Sequence, residues 1–362
     1  MQQCSILFCI ASLIIAVTGN AEDLRVNIAP VRTRVAATQD VNVVLKYTNT
    51  GNDTMYIYKW YMPQNKLTDK LFDITLDGKP VKYVGPLVKR RAPIPEDLVS
   101  LAPGQSLSTV VPLSTAYNMT QTGNYVVQYN MSAHHVLHTE ERESALKRLF
   151  KSANDDTNVM LQSEPVALFA AGHRNRLIEH AKQYRNQLQS RAFYYTGCSS
   201  SQVQVIRNAM TAARSFADNA YKHLDDLIYL SYVTSRYSTW FGAYTESRHT
   251  TVRNHFAEIK YVLNNQYITF DCTCPDAGDS TYAYVYGSEH YNIYLCNMFW
   301  RSSSTGYDST GGTIIHELAH FKVVAGTDDH EYGQTSTKKL AKNSPSKAIA
   351  NSDNLQYFAE SG

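Results

Sequence analysis

The sequence predicts two domains of opposite character, an all-β domain in front and a mixed α+β domain behind. Three observations predict it. Between Leu24 and about Val166, short runs alternate apolar and polar residues and are separated by Gly, Asn, Asp and Pro. From Ser201 onward apolar residues return at helical spacing, with short strand-like runs among the helices. Cys198, Cys272, Cys274 and Cys296 all lie behind Tyr195, whereas Cys4 and Cys9 stand at the amino terminus. At 362 residues, 43% hydrophobic and 18% charged, the chain has room for two or three domains.

Residues 1–21 read as a secretory signal peptide. The uncharged run Ile6 to Val17 is too short to span a bilayer comfortably and ends in small residues. It lacks a Lys or Arg before it, and a membrane anchor is the competing reading. Residues 22–169 form the front domain. LRVNIAP, VNVVLKYTNTG, TMYIYKW, LFDITLDGKPVKYVG, LSTVVPLS and GNYVVQYNM are its strand candidates, and Leu76-Asp77-Gly78-Lys79 is a hairpin signal. Their spacing suggests an immunoglobulin-like sandwich without a disulfide of its own. Glycosylation sequons stand at Asn52, Asn118 and Asn130. His134, His135 and His138 invite a metal reading, but no acidic ligand is near in sequence, so polar residues at a strand end are preferred. Glu140 to Phe150 reads as a short charged helix and Val159 to Leu168 as a last strand.

Residues 170–194 are a helical linker, with Ala170 to Ala192 rich in basic and amide side chains. Residues 195–362 form the rear domain. A long helix from about Ser201 to Tyr232 carries Val205, Ala209, Ala212, Ala213, Phe216 and Ala220 at helical spacing. An aromatic loop around Trp240 and Phe241 precedes a helix over Glu246 to Asn264. Strands follow at Tyr267 to Cys272, Tyr282 to Tyr286 and Ile293 to Cys296. Four cysteines in an exported chain suggest two disulfides, and the near neighbours Cys272 and Cys274 each pair outward. A Cys-x-Cys metal site is the alternative.

The stretch Gly311 to Gly333, GGTIIHELAHFKVVAGTDDHEYG, carries the chemistry. His316 and His320 are four apart, so on a helix both imidazoles face one way and can reach one metal ion. Glu317 lies beside them, where a general base for a metal-activated water belongs. The helix is expected to run on through Phe321 to Ala325 until Gly326 turns the chain back. Asp329 could then supply the third ligand from the returning loop, and Tyr332 is placed to donate to a developing oxyanion. Asp328 and His330 are read as loop residues.

HELAH followed by Gly326-Thr327-Asp328-Asp329-His330-Glu331-Tyr332-Gly333 resembles the aspzincin (deuterolysin, M35) metallopeptidases, and most of all the peptidyl-Lys metalloendopeptidases. The resemblance covers roughly Tyr195 to Glu360. It implies a zincin-like α+β fold, one Zn2+ held by His316, His320 and Asp329, Glu317 as base and Tyr332 as transition-state donor. It also implies the pairings Cys198–Cys272 and Cys274–Cys296. In the lysine-specific relatives two acidic residues near the carboxyl terminus bind the substrate ammonium at P1′. Asp353 matches the first, while Gln356 stands where the second would be Glu, which should weaken the preference without abolishing it. Thr327 is counted with them as substrate-binding.

Motif, resemblance and leader together imply a secreted, extracellular zinc endopeptidase made as a zymogen and acting on proteins or peptides. Its own front domain would be the inhibitor. No cysteine lies between the signal and Cys198, so latency would come from covering the cleft and not from a metal-bound thiol. Lys182 is a candidate self-cleavage point if the enzyme cuts before lysine. A formal net charge of +2 argues against a nucleic-acid partner, and no membrane partner is expected once the signal is removed. Two other readings are weighed: a secreted binding protein acting through its sandwich, and a zinc hydrolase of other bonds.

Overall fold

The computed structural model describes residues 23–63, 66–138, 159–173, 194–229, 233–275 and 277–362. The expected signal peptide, the Glu140 to Phe150 helix, most of the linker helix and Lys182 lie outside them.

The front strands other than Pro86–Arg90 fall into three hydrogen-bonded sheets. In the first, Asn42–Asn49 runs antiparallel between Leu24–Pro30 and Ser106–Pro112. Its alternation is read directly from the chain, with Val43, Leu45 and Tyr47 buried and Lys46 exposed. In the second, Thr122–Ser132 is central, flanked by Phe72–Leu76 and Val166–Ala171. In the third, Met55–Tyr58 lies between Leu98–Leu101 and Leu137–His138. The inward residues share one core, within which the Tyr47 hydroxyl donates to that of Tyr129 at 2.8 Å. The expected hairpin forms: Leu76 pairs with Lys79, and Asp77 and Gly78 both take positive φ, 47° and 81°, as a tight primed turn requires. The single last strand expected over Val159 to Leu168 is two, Met160–Gln162 and Val166–Ala171, with Pro165 unable to donate between them. Ala170 and Ala171 therefore end a strand and do not open the linker helix.

The rear half has a five-stranded sheet in the order Tyr194–Thr196, Thr269–Asp271, Asn292–Leu295, Thr281–Tyr286, Pro86–Arg90. Its first three strands are parallel, and the last two run antiparallel to their neighbours. The edge strand Pro86–Arg90 comes from the front half, which sequence reading passed over. Helix Ser200–Asp226 starts at a capping box of Ser199 and Gln202 and packs against helices Glu246–Asn265 and Thr310–His320. The expected aromatic loop is instead a helix, Ser235–Phe241, started by Thr234 and closed by Gly242 at φ 75°. Trp240 and Phe241 are buried under it, and that burial organises a segment with no strong helical pattern. The disulfides Cys198–Cys272 and Cys274–Cys296 are both present. Among the described residues, no helix is long and apolar enough to cross a membrane.

Candidate metal centre

Helix Thr310–His320 is buried along its whole length, on every face. Ser309 caps it by accepting from the Gly312 amide at 2.9 Å. Gly311 and Gly312 let it lie close: a Cβ on the first would press to 2.8 Å from that of Ala212, and one on the second would collide with the Glu360 carboxylate. The helix stops at His320 and does not run on to Ala325, because Phe321 is already extended at φ −66°, ψ 128°. A tight turn comes next, and Gly326 at φ 63° sends the chain back as expected.

That return brings Asp329 over the helix. His316 Nε2 and His320 Nε2 are 3.2 Å apart, and the two Asp329 oxygens lie 3.3 Å from one and the other. Ligand atoms held tetrahedrally about 2.0–2.1 Å from a zinc ion are about 3.3–3.4 Å from each other, so the spacing fits such an ion. His316, His320 and Asp329 are the one group among the described residues able to hold a metal in this way. Asp328 and His330 are outside it, as expected. The His320 Nδ1 faces the Thr327 carbonyl at 3.0 Å and must donate there, which leaves Nε2 its lone pair for a metal. His316 Nδ1 lies 2.9 Å from Asp353 Oδ1.

Both Glu317 oxygens are buried and accept no hydrogen bond. Burial pushes the Glu317 carboxyl up to about 7, against the pull of the two imidazoles. Burial acts on Asp329 in the same sense but is outweighed by His320 and His316, which hold it well below the usual carboxylate range. Tyr332 is raised by burial and stays a neutral donor; its hydroxyl donates to the Val88 carbonyl at 3.1 Å.

The loop from Asp329 to Tyr332 is pinned by Asn351. Its Oδ1 accepts from the His330 and Glu331 amides and its Nδ2 donates to the Glu331 carbonyl. The next helix, Ser352–Glu360, is also buried throughout. Asp353 is 1% exposed and accepts from the Gly333 amide at 2.8 Å. The Lys89 ammonium, from the front half, sits 2.8 Å from Asp353 and 3.5 Å from Asp308. Burial would raise Asp353, but Lys89 and His316 hold it at about 2.

Two expected substrate residues are placed elsewhere. Thr327 is buried behind His320, its hydroxyl paired with that of Ser352 at 2.7 Å, because the turn at Gly326 directs it into the core. Gln356 is fully buried, and its amide nitrogen donates to Glu360 at 3.2 Å instead of meeting the ammonium. Lys89, Asp308 and Glu360 were missed. Asp308 and Glu360 show no motif, and the run PLVKR is too short to announce a strand. His134 and His135, on the short helix Ala133–Val136, lie 3.4 and 3.6 Å from Glu331, a link between the halves that sequence distance hides.

Two imidazoles, a carboxylate at ligand spacing and an unbonded acid beside them define the site of a metal-dependent hydrolase. Residues 231–360 match the aspzincin M35 family, described as lysine-specific metallo-endopeptidase. The chain is 37% identical over 326 residues to an "Extracellular protease" of Aeromonas hydrophila, covering 90% of this chain and 89% of that one. It is 34% identical over 338 residues to a "Peptidyl-Lys metalloendopeptidase" of Armillaria mellea, covering 90% and 88%. A solved zinc peptidase from Grifola frondosa is 41% identical, spans 45% of this chain and 96% of its own, and has a TM-score of 0.42. The chain belongs to the aspzincin M35 metalloendopeptidases.

Proposed function

We propose that the protein is a secreted zinc endopeptidase, made as an inactive precursor, that cuts on the amino side of lysine. The observation that carries this is the convergence of His316, His320 and Asp329 at ligand spacing with the unpartnered Glu317 carboxylate beside them. A zinc ion held there would polarise a peptide carbonyl and acidify a water. Glu317 takes the proton of the attacking water and passes it to the leaving amine. Tyr332 donates to the carbonyl oxygen as negative charge grows on it. The buried carboxylate of Asp353, next to His316, gives the leaving side an acidic group, and three relatives bear the name peptidyl-Lys metalloendopeptidase.

Export rests on the signal-like residues 1–21 and on the relative named an extracellular protease. The precursor reading takes residues 22–169 as an inhibitory propiece, 170–194 as the linker that is cut, and 195–362 as the mature enzyme. The chemistry is tested by digesting a denatured protein mixture with the processed enzyme, with and without a chelator, and sequencing the products. New amino termini at lysine, lost on chelation and restored by zinc, are expected; termini spread over all residue types contradict the lysine reading.

A further inference from the structure

The strand Pro86–Arg90 belongs by sequence to the front half and by pairing to the rear sheet. It adds antiparallel to Thr281–Tyr286, with Val88 opposite Tyr284 and Lys89 opposite Ala283. An extended segment laid along a sheet edge is how peptides are commonly gripped, with backbone bonds fixing register and alternate side chains entering pockets. Here the side chains divide in that way. Lys89 enters the rear half, 1% exposed. Arg90 turns back to the front half, where it grips Asp69 with two nitrogens, at 3.0 and 2.8 Å, and lies over the Trp60 ring.

The place Lys89 enters is built for an ammonium. Asp353 is 2.8 Å away and Asp308 3.5 Å, while the rings of Tyr282 and Tyr357 lie 5.4 and 5.8 Å from the nitrogen. Both carboxylates are held independently of Lys89: Asp353 by the Gly333 amide, Asp308 by the Tyr357 hydroxyl at 2.8 Å. A buried ammonium is tolerated where its charge is met, and here two carboxylates meet it. One residue back, the Val88 carbonyl receives the hydroxyl of Tyr332, the group assigned above to the carbonyl under attack. Position 356 contributes no charge, and its side chain is turned to Glu360.

We propose that Lys89 fills the pocket a substrate lysine takes, with Asp308 as its second carboxylate, so that the front half closes the cleft as a tethered substrate mimic. Val88–Lys89 stands where a scissile bond would lie, and Asp308 makes good the charge that Gln356 does not carry. This rests on the lysine-directed reading above and adds the residues that set it.

The test uses the intact, zinc-loaded chain carrying Glu317→Gln, so that binding is read without turnover. The probes are a labelled extended peptide with one internal lysine and its norleucine counterpart, monitored by fluorescence anisotropy. With Lys89 present neither peptide should bind. With Lys89→Met, which keeps the apolar stem and removes the charge, the lysine peptide should bind at least about tenfold tighter than before. Adding Asp308→Asn should weaken the lysine peptide about tenfold and leave the norleucine peptide unchanged. Equal binding with and without Lys89, or equal loss of both peptides with Asp308→Asn, overturns the proposal. If the Lys89→Met chain shows no melting transition, Asp308→Asn alone decides: amide exchange of Leu87 to Arg90 should quicken about tenfold, and unchanged exchange overturns it. Failure of the peptidase reading would show separately, as no Glu317-dependent hydrolysis by the processed enzyme.

Discussion

In the front half the core is mostly leucine, valine and tyrosine with a few other apolar residues, and the polar residues buried with them are Asn49, Thr109 and a few serines. In the rear half, helices Thr310–His320 and Ser352–Glu360 bury every residue they have, including His316, Glu317, Asp353, Asn354 and Gln356. Both cores exclude water from apolar faces, but the rear one also encloses a cluster of polar and charged groups around a site. The most deeply buried charge of the front half, Lys89, is not in the front core at all. It lies among the rear acids, which is where such a charge can be accommodated.

That contrast can be broken in several ways. The largest effect is expected from Glu317→Ala in the processed enzyme, a fall in turnover of about 10²–10⁴-fold. Because neither oxygen of Glu317 has a partner and burial already disfavours its charge, the melting temperature should not fall. A marked drop would show that this acid holds the fold together. Asp353→Ala in the intact chain leaves the Lys89 ammonium without its nearest carboxylate and should cost about 3–5 kcal/mol in a denaturant titration. An unchanged midpoint would place the ion pair outside the folded core.

Glu360 gives the pH signature. Burial raises its carboxyl from 4.5 to about 7, so the folded chain favours the protonated form. Its contribution is therefore complete below about 4.5 and is lost as pH rises through about 7. Wild-type stability should decline across that window by about 1–3 kcal/mol, and Glu360→Gln should flatten the decline. Parallel curves for the two would assign the slope to other groups. The smallest effect is in the front core. Tyr47→Phe removes the hydroxyl shared with Tyr129 and should cost about 1 kcal/mol without changing the activity of the processed enzyme.

Much of the site was legible because it is local. The spacing of His316 and His320 determines that they share a helix face, and Gly326 determines that the chain turns back within reach of them. The Asp77-Gly78 turn and the alternation of Asn42–Asn49 are legible for the same reason: each depends on residues within a few positions of itself. The helix Ser235–Phe241 was not, because burial of Trp240 and Phe241 against distant residues overrides a weak local preference.

Only tertiary structure decided where the strand Pro86–Arg90 goes and what Lys89 meets. A short extended run has no partner written into it; its backbone groups are satisfied by whichever edge the fold presents. The sequence by itself determined which residues could hold a metal. The tertiary structure decided which acids surround a lysine there, since Asp308 and Asp353 come from separate segments of the rear half and Lys89 reaches them only when the two halves pack.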